Sequence, residues 1–142
     1  MTDQERTQAL EIMKERFGKD SLVALATVDA DGRPWVRAVN TYYEDGAFYV
    51  VTYGLSNKMQ QIAQNPEVSL CGDWFTGHGI GENLGYVLKS ENALLMEKLR
   101  SAFSEWYSNG HTDESDPNTC ILKIRLTEGV LFSHGIRYDL KI

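Results

Sequence analysis

At 142 residues and 16.1 kDa the chain has the length of one domain, residues 1–142, and its 42% hydrophobic and 24% charged content is ordinary globular usage, which excludes disordered and fibrous classes. A net charge of -6, with no Lys/Arg cluster denser than MKERFGK, excludes a phosphodiester-binding surface, so no nucleic acid is expected as a partner. No apolar run approaches the roughly 20 residues that span a bilayer, and MTDQERTQAL is polar rather than signal-like, so a cytoplasmic protein without membrane contact is expected.

Thr2 and Glu5 have capping-box spacing, and Ala9, Leu10, Met13 and Phe17 recur at helical intervals before Gly18, which predicts an amphipathic helix over residues 3–17. SLVALATV, RPWVRAVNTYY and AFYVVTY are β-rich and separated by two compact Asp-Gly turns, the pattern of an antiparallel meander. Ser56 fits the N-cap of a short helix from Asn57 to Gln64, with Met59, Ile62 and Ala63 inward and Asn65-Pro66 as its stop. EVSLCGDW reads as a fourth strand.

Residues 75–82, with glycines at 77, 79 and 81, read as a flexible loop, and NLGYVLKS as a fifth strand broken by a glycine. Leu95, Leu99, Ala102, Phe103 and Trp106 form a helical stripe within Asn92–Tyr107. NGHTDESDPN is a polar loop, and TCILKIRL, TEG and VLFSHGIRY read as a closing hairpin. Short antiparallel strands with helices between them favour a small barrel, because closure removes exposed sheet edges.

Cys71 and Cys120 lie in apolar β-like runs without CxxC spacing and are expected to be reduced, buried thiols. His78, His111 and His134 lack ligand-spaced partners, so no metal is expected. The glycines around His78 do not form a phosphate loop, since no Gly-Lys-Ser/Thr opens a helix there. Trp35, Trp74, Trp106 and Tyr107 are aromatic enough to stack on a flat ligand; Trp74 is kept as a site candidate and Trp106 is read as packing.

The chemistry concentrates in two cations. Lys58 falls in the first turn of its helix, where the dipole disfavours a cation and free N–H groups point outward, so an anion bound there would account for it. Arg37 alternates with apolar Trp35 and Val39 on one face of its strand, from which it could reach the same anion. Spacing alone leaves both readable as ordinary surface charges.

The run FYVVTYGLSNKMQQIAQNPEVSL, preceded by RPWVRAV, resembles the flavin-phosphate region of the pyridoxamine 5'-phosphate oxidase-like family of FMN-binding split barrels, over roughly Ser21 to Leu70. The resemblance implies a six-stranded antiparallel split β-barrel with helices, of the α+β class. It also implies an FMN cofactor whose phosphate is gripped by Arg37 and Lys58 beside Ser56 and Asn57. Thr52 matches a strand threonine near the flavin, and Ala38, Val39 and Asn40 match backbone along its ring. A homodimer with the flavin at the subunit interface is implied as well. Beyond Leu70 the resemblance thins: true pyridoxamine phosphate oxidases end in an Arg-x-His-x-Arg motif, whereas Arg137-Tyr138-Asp139 keeps the first arginine and not the histidine, which argues against that activity here.

Two functions fit these residues: a flavin-dependent oxidoreductase acting on an unidentified small molecule, and a non-catalytic flavin or haem carrier or sensor on the same barrel. No residue stands out as a catalytic acid or base. A deazaflavin cofactor would use the same phosphate grip.

Overall fold

The computed structural model describes residues 1–142. Helix α1 (Asp3–Phe17) starts at Thr2, whose Oγ1 accepts from the Glu5 N–H at 3.1 Å, and buries Ala9, Met13 and Phe17. Strands β1 (Ser21–Val28), β2 (Pro34–Glu44) and β3 (Ala47–Tyr53) form the meander. Helix α2 (Asn57–Gln64) leads into β4 (Glu67–Gly72) and β5 (Phe75–Tyr86). Helix α3 (Ala93–Ala102) precedes β6 (Thr119–Ser133) and β7 (Ile136–Lys141).

All pairings are antiparallel, in the order β3-β2-β1-β4-β5-β6-β7. A further pairing of β3 with β6, running from Ala47↔Arg125 to Tyr53↔Thr119, closes β1 to β6 into a six-stranded barrel and leaves β7 as a flap on the far half of β6. Closure satisfies the strand edges that a lone sheet would expose. Alternation then fills the barrel: Val23, Leu25, Phe48, Val50, Leu122, Ile124 and Leu126 point in, and Phe17 plugs the core edge-on to Phe48 and Phe75 at 5.4 and 5.8 Å between ring centres. A second, smaller core lies outside the barrel, where Met96, Leu99 and Phe103 cover Ile121. No helix is long and apolar enough to cross a membrane.

Several expected elements differ. Residues 75–82 are not a loop but most of β5, hydrogen-bonded to β4 and β6 on either side. The glycines there make room for their neighbours: a Cβ on Gly79 would stand 2.8 Å from the Ile124 side chain, and one on Gly81 would stand 2.8 Å from Ile62. NLGYVLKS is accordingly not a separate strand; its first half ends β5.

TEG is not a turn either. It lies within the continuous β6, where a Cβ on Gly129 would meet the Phe75 ring at 2.7 Å, and the chain reverses instead at His134-Gly135, both at positive φ. The third helix stops at Ala102 and continues to Tyr107 as turns, with the Tyr107 N–H on the Phe103 carbonyl at 2.9 Å. Of the two thiols expected to be buried, Cys120 is buried and Cys71 is exposed, because Cys71 falls on the outward face of β4.

Candidate functional site

The register of β2 decides the environment of Arg37. Its odd-numbered residues face inward, so Arg37 follows Val39, Thr41 and Tyr43 on the face that enters the barrel, at the end where burial gives way to solvent. Its Nη1 donates to Thr27 Oγ1 at 2.6 Å and to the Leu25 carbonyl at 3.3 Å, and its Nη2 donates to Gln61 Oε1 at 3.4 Å. The Thr27 hydroxyl donates to the same Gln61 oxygen. Every one of these acceptors is neutral. Arg37 forms no salt bridge, and its burial pulls its pKa below the ordinary arginine value.

Lys58 is half-buried at the start of α2. Its Nζ donates only to Ser56 Oγ at 3.4 Å, and it too has no carboxylate partner. Burial, followed by the nearby Arg37 charge, lowers its pKa from the lysine value. The cap at Ser56 is open: the residue occupies the N-cap position, but its hydroxyl takes no backbone N–H of α2, so the proton is free to turn outward. Two cations, a hydroxyl and the unpaired first-turn N–H groups therefore gather at one place with no negative charge among them.

Beside them a groove of about 460 Å³ is lined by Val39, Asn40, Thr52, Lys58, Trp106 and the loop around Asp113, within the size range of small-molecule sites. The loop is anchored from behind. Arg100 donates to both Glu114 oxygens at 2.9 and 3.1 Å, Tyr107 donates to the same carboxylate at 2.6 Å, and the Thr119 hydroxyl donates to the Asp113 carbonyl. Hydrogen bonds from Arg100 pull the Glu114 pKa down, while burial and the Glu114 hydrogen bond push that of Tyr107 up. Two roomier grooves, of about 610 and 580 Å³, run along α1; like the first, whose loop side carries Asp113 and Asp116, they mix carboxylates with cations, and neither of them borders the Arg37–Lys58 pair.

Of the residues expected at the site, Val39, Asn40, Thr52 and Lys58 line the groove, and Arg37 and Ser56 stand beside Lys58. Asn57 opens α2 next to them, and Ala38 lies on the outward face of β2 and does not line the groove. Trp74 is elsewhere: it sits at positive φ in the β4–β5 turn, 70% exposed and edge-on to Phe132.

Thr27, Gln61 and Asp20 were not singled out from the sequence, and Trp106, read there as packing, lines the groove. Gln61 lies one helical turn after Lys58, a spacing that puts both on one side of α2. Asp20 carries no local pattern at all.

The family model for pyridoxamine 5'-phosphate oxidase matches residues 9–132, which contain the barrel, both cations and the groove. The chain belongs to this family. Among curated members it is 33% identical over 86 residues to the pyridoxine/pyridoxamine 5'-phosphate oxidase of Yersinia enterocolitica, a match covering 60% of this chain and 38% of that protein. The chain thus spans well under half the length of the relative it matches. Among solved structures, General Stress Protein 26 from Bacillus anthracis superposes with a TM-score of 0.68 at 19% identity, covering 98% of this chain and 97% of that one. An FAD-binding protein from Mesorhizobium loti superposes at 0.66 with 17% identity, covering 91% and 92%. These structures share the fold of this family member.

Proposed function

We propose that this family member binds FMN in the groove beside Lys58 and acts as a flavin-dependent oxidoreductase on a small molecule. The observation that carries the reading is the Arg37–Lys58 pair, two half-buried cations side by side without a carboxylate in a chain whose net charge is -6. Burying like charges together is unfavourable unless an anion joins them. A phosphate dianion fits: it accepts from the Arg37 and Lys58 side chains, the Ser56 hydroxyl and the N–H groups at the start of α2.

In this arrangement Arg37 and Lys58 bind and orient, and neither moves a proton. Thr27 and Gln61 hold the guanidinium in place, and the Val39–Asn40 segment of β2 and Thr52 of β3 give the adjoining wall against which a flat ring can lie. Bound flavin would supply hydride acceptance and donation. The likeness to a protein named as FAD-binding supports a flavin-type ligand.

The same reading includes a homodimer. On the outward face of β1, β2 and β4, Leu22 and Val36 are 67% and 70% exposed, with Ala24, Ala26, Ala38 and Cys71 between them across the register. This apolar face meets the groove at Asn40, so a second copy seated on it would place its surface beside the bound ring.

The test is a titration with FMN followed by desalting. Retained yellow protein, lost in Lys58→Ala and Arg37→Ala, supports the phosphate grip; variants that hold FMN as tightly as the parent overturn it. Bleaching of the bound flavin by anaerobic NADH or NADPH identifies an enzyme, and a flavin that no reductant turns over identifies a carrier or sensor. Light scattering at twice 16.1 kDa, reverting to one copy in Val36→Glu, checks the dimer.

A further inference from the structure

The phosphate grip uses one end of the groove and leaves an aromatic side chain in its wall unexplained. Trp106 stands in the turns after α3, half-buried, and lines the groove with Val39 and Asn40. Its ring rests on buried Phe103, with centres 5.0 Å apart and planes tilted by 31°. Its indole N–H donates to Asp20 Oδ2 at 2.9 Å, and the other oxygen of the same carboxylate accepts from Asn40 Nδ2 at 3.0 Å.

The Asp20 carboxylate, 86 residues from Trp106 in sequence, therefore ties the turns after α3 to Asn40 of β2. The carboxylate that satisfies the indole also holds Asn40, a second residue of the groove wall. With its N–H satisfied and its ring backed by Phe103, Trp106 cannot swing away without breaking a charge-assisted hydrogen bond and leaving half of Asp20 unpartnered. What results is a flat, pre-oriented aromatic surface in the groove wall, tied to β2 through Asp20 and Asn40.

We infer that Trp106 is the aromatic wall for the ring of the bound flavin and that Asp20 is the positioning residue that fixes it. This rests on the FMN reading above and deepens it, since it divides the groove into a phosphate end at Lys58 and a ring end at Trp106.

The two ends are separable with riboflavin, which has the ring and lacks the phosphate. Trp106→Leu is expected to weaken FMN and riboflavin by the same factor, roughly two- to twelve-fold, the range of an aromatic pair. Lys58→Ala weakens FMN alone. A second readout is the emission of bound flavin excited in the visible, where tryptophan does not absorb. It should be quenched in the parent and in Trp35→Phe, and brighter by at least about two-fold in Trp106→Leu, because contact with an indole ring quenches it.

Asp20→Asn can accept from only one of the two N–H donors and is expected to brighten the flavin part-way with its phosphate affinity intact. Should Trp106→Leu not fold, Trp106→Phe keeps the packing on Phe103 and is read by the same emission. If flavin emission and riboflavin affinity are unchanged in the Trp106 and Asp20 variants while Lys58→Ala still loses FMN, Trp106 is packing and this inference fails alone. If the parent binds neither flavin saturably, the FMN reading fails and this inference with it.

Discussion

Two arginines of the same chain show what partnering does to a cation. Arg100 meets Glu114 through two hydrogen bonds, and that partner raises its pKa. Arg37 is held at similar depth by neutral oxygens only, stands beside Lys58, and has its pKa lowered by burial. The first charge is satisfied by the fold and serves it, by anchoring the loop that walls the groove. The second is left for a ligand. Charge in a cleft is thus informative when its partner is missing rather than when it is merely present.

The largest expected effect tests the unsatisfied pair. A charge-assisted hydrogen bond is worth about 1.5–3 kcal/mol, so Lys58→Met should raise the Kd for FMN by roughly 10- to 150-fold, measured by flavin titration. Equal affinity in the parent and the variant would erase the difference between the two cations.

The satisfied pair should answer the opposite way. Glu114→Ala removes the anchor of the loop and strands Arg100, and because both side chains retain solvent access the expected loss is about 1–2 kcal/mol of stability by urea unfolding. A smaller effect completes the contrast: Lys58→Met should stabilise the FMN-free protein by about 0.5–1 kcal/mol, since it removes a half-buried charge lying against another of the same sign. Destabilisation instead would show that Lys58 is already partnered in the free protein.

The pH dependence sharpens the same point. Lys58 has its pKa lowered in the free protein, and a bound phosphate raises it, so the lysine must keep or take up its proton on binding. FMN affinity should therefore fall as pH rises through the depressed lysine value, beginning at lower pH than for an ordinary lysine. Below about pH 6 it should fall again as the phosphate dianion is protonated. Isothermal titration across this range checks both limbs, and Lys58→Met should lose the alkaline one.

Much of the barrel was legible in the sequence because its signals are local. Asp-Gly turns set the β1–β2–β3 meander, Ser56 and Asn65-Pro66 bracket α2, and period-two alternation put Arg37 on one face with Val39, which the structure shows to be the inward one. The errors cluster where glycine has two uses. At residues 77–81 and at 129 it serves close packing inside the barrel, a demand made by Phe75, Ile124 and Ile62 from elsewhere in the chain, and its local signature is the same as that of a loop or turn. Cys71 was misjudged because an apolar strand does not say which of its faces another layer will cover.

By itself the sequence determined the first two helices, the strands before β5, and the pair Arg37 and Lys58 as candidates for one anion, since each follows from spacing within a few residues and from the chemistry of cations at a helix start. Tertiary structure alone decided that β3 meets β6 to close the barrel, and that Thr27 and Gln61 hold Arg37 without neutralising it. It alone decided, too, that Asp20 reaches Trp106. Those contacts join residues far apart in the chain, and the loop-closure entropy they cost is recovered only when the whole core is buried at once, so no local window of sequence carries their signature.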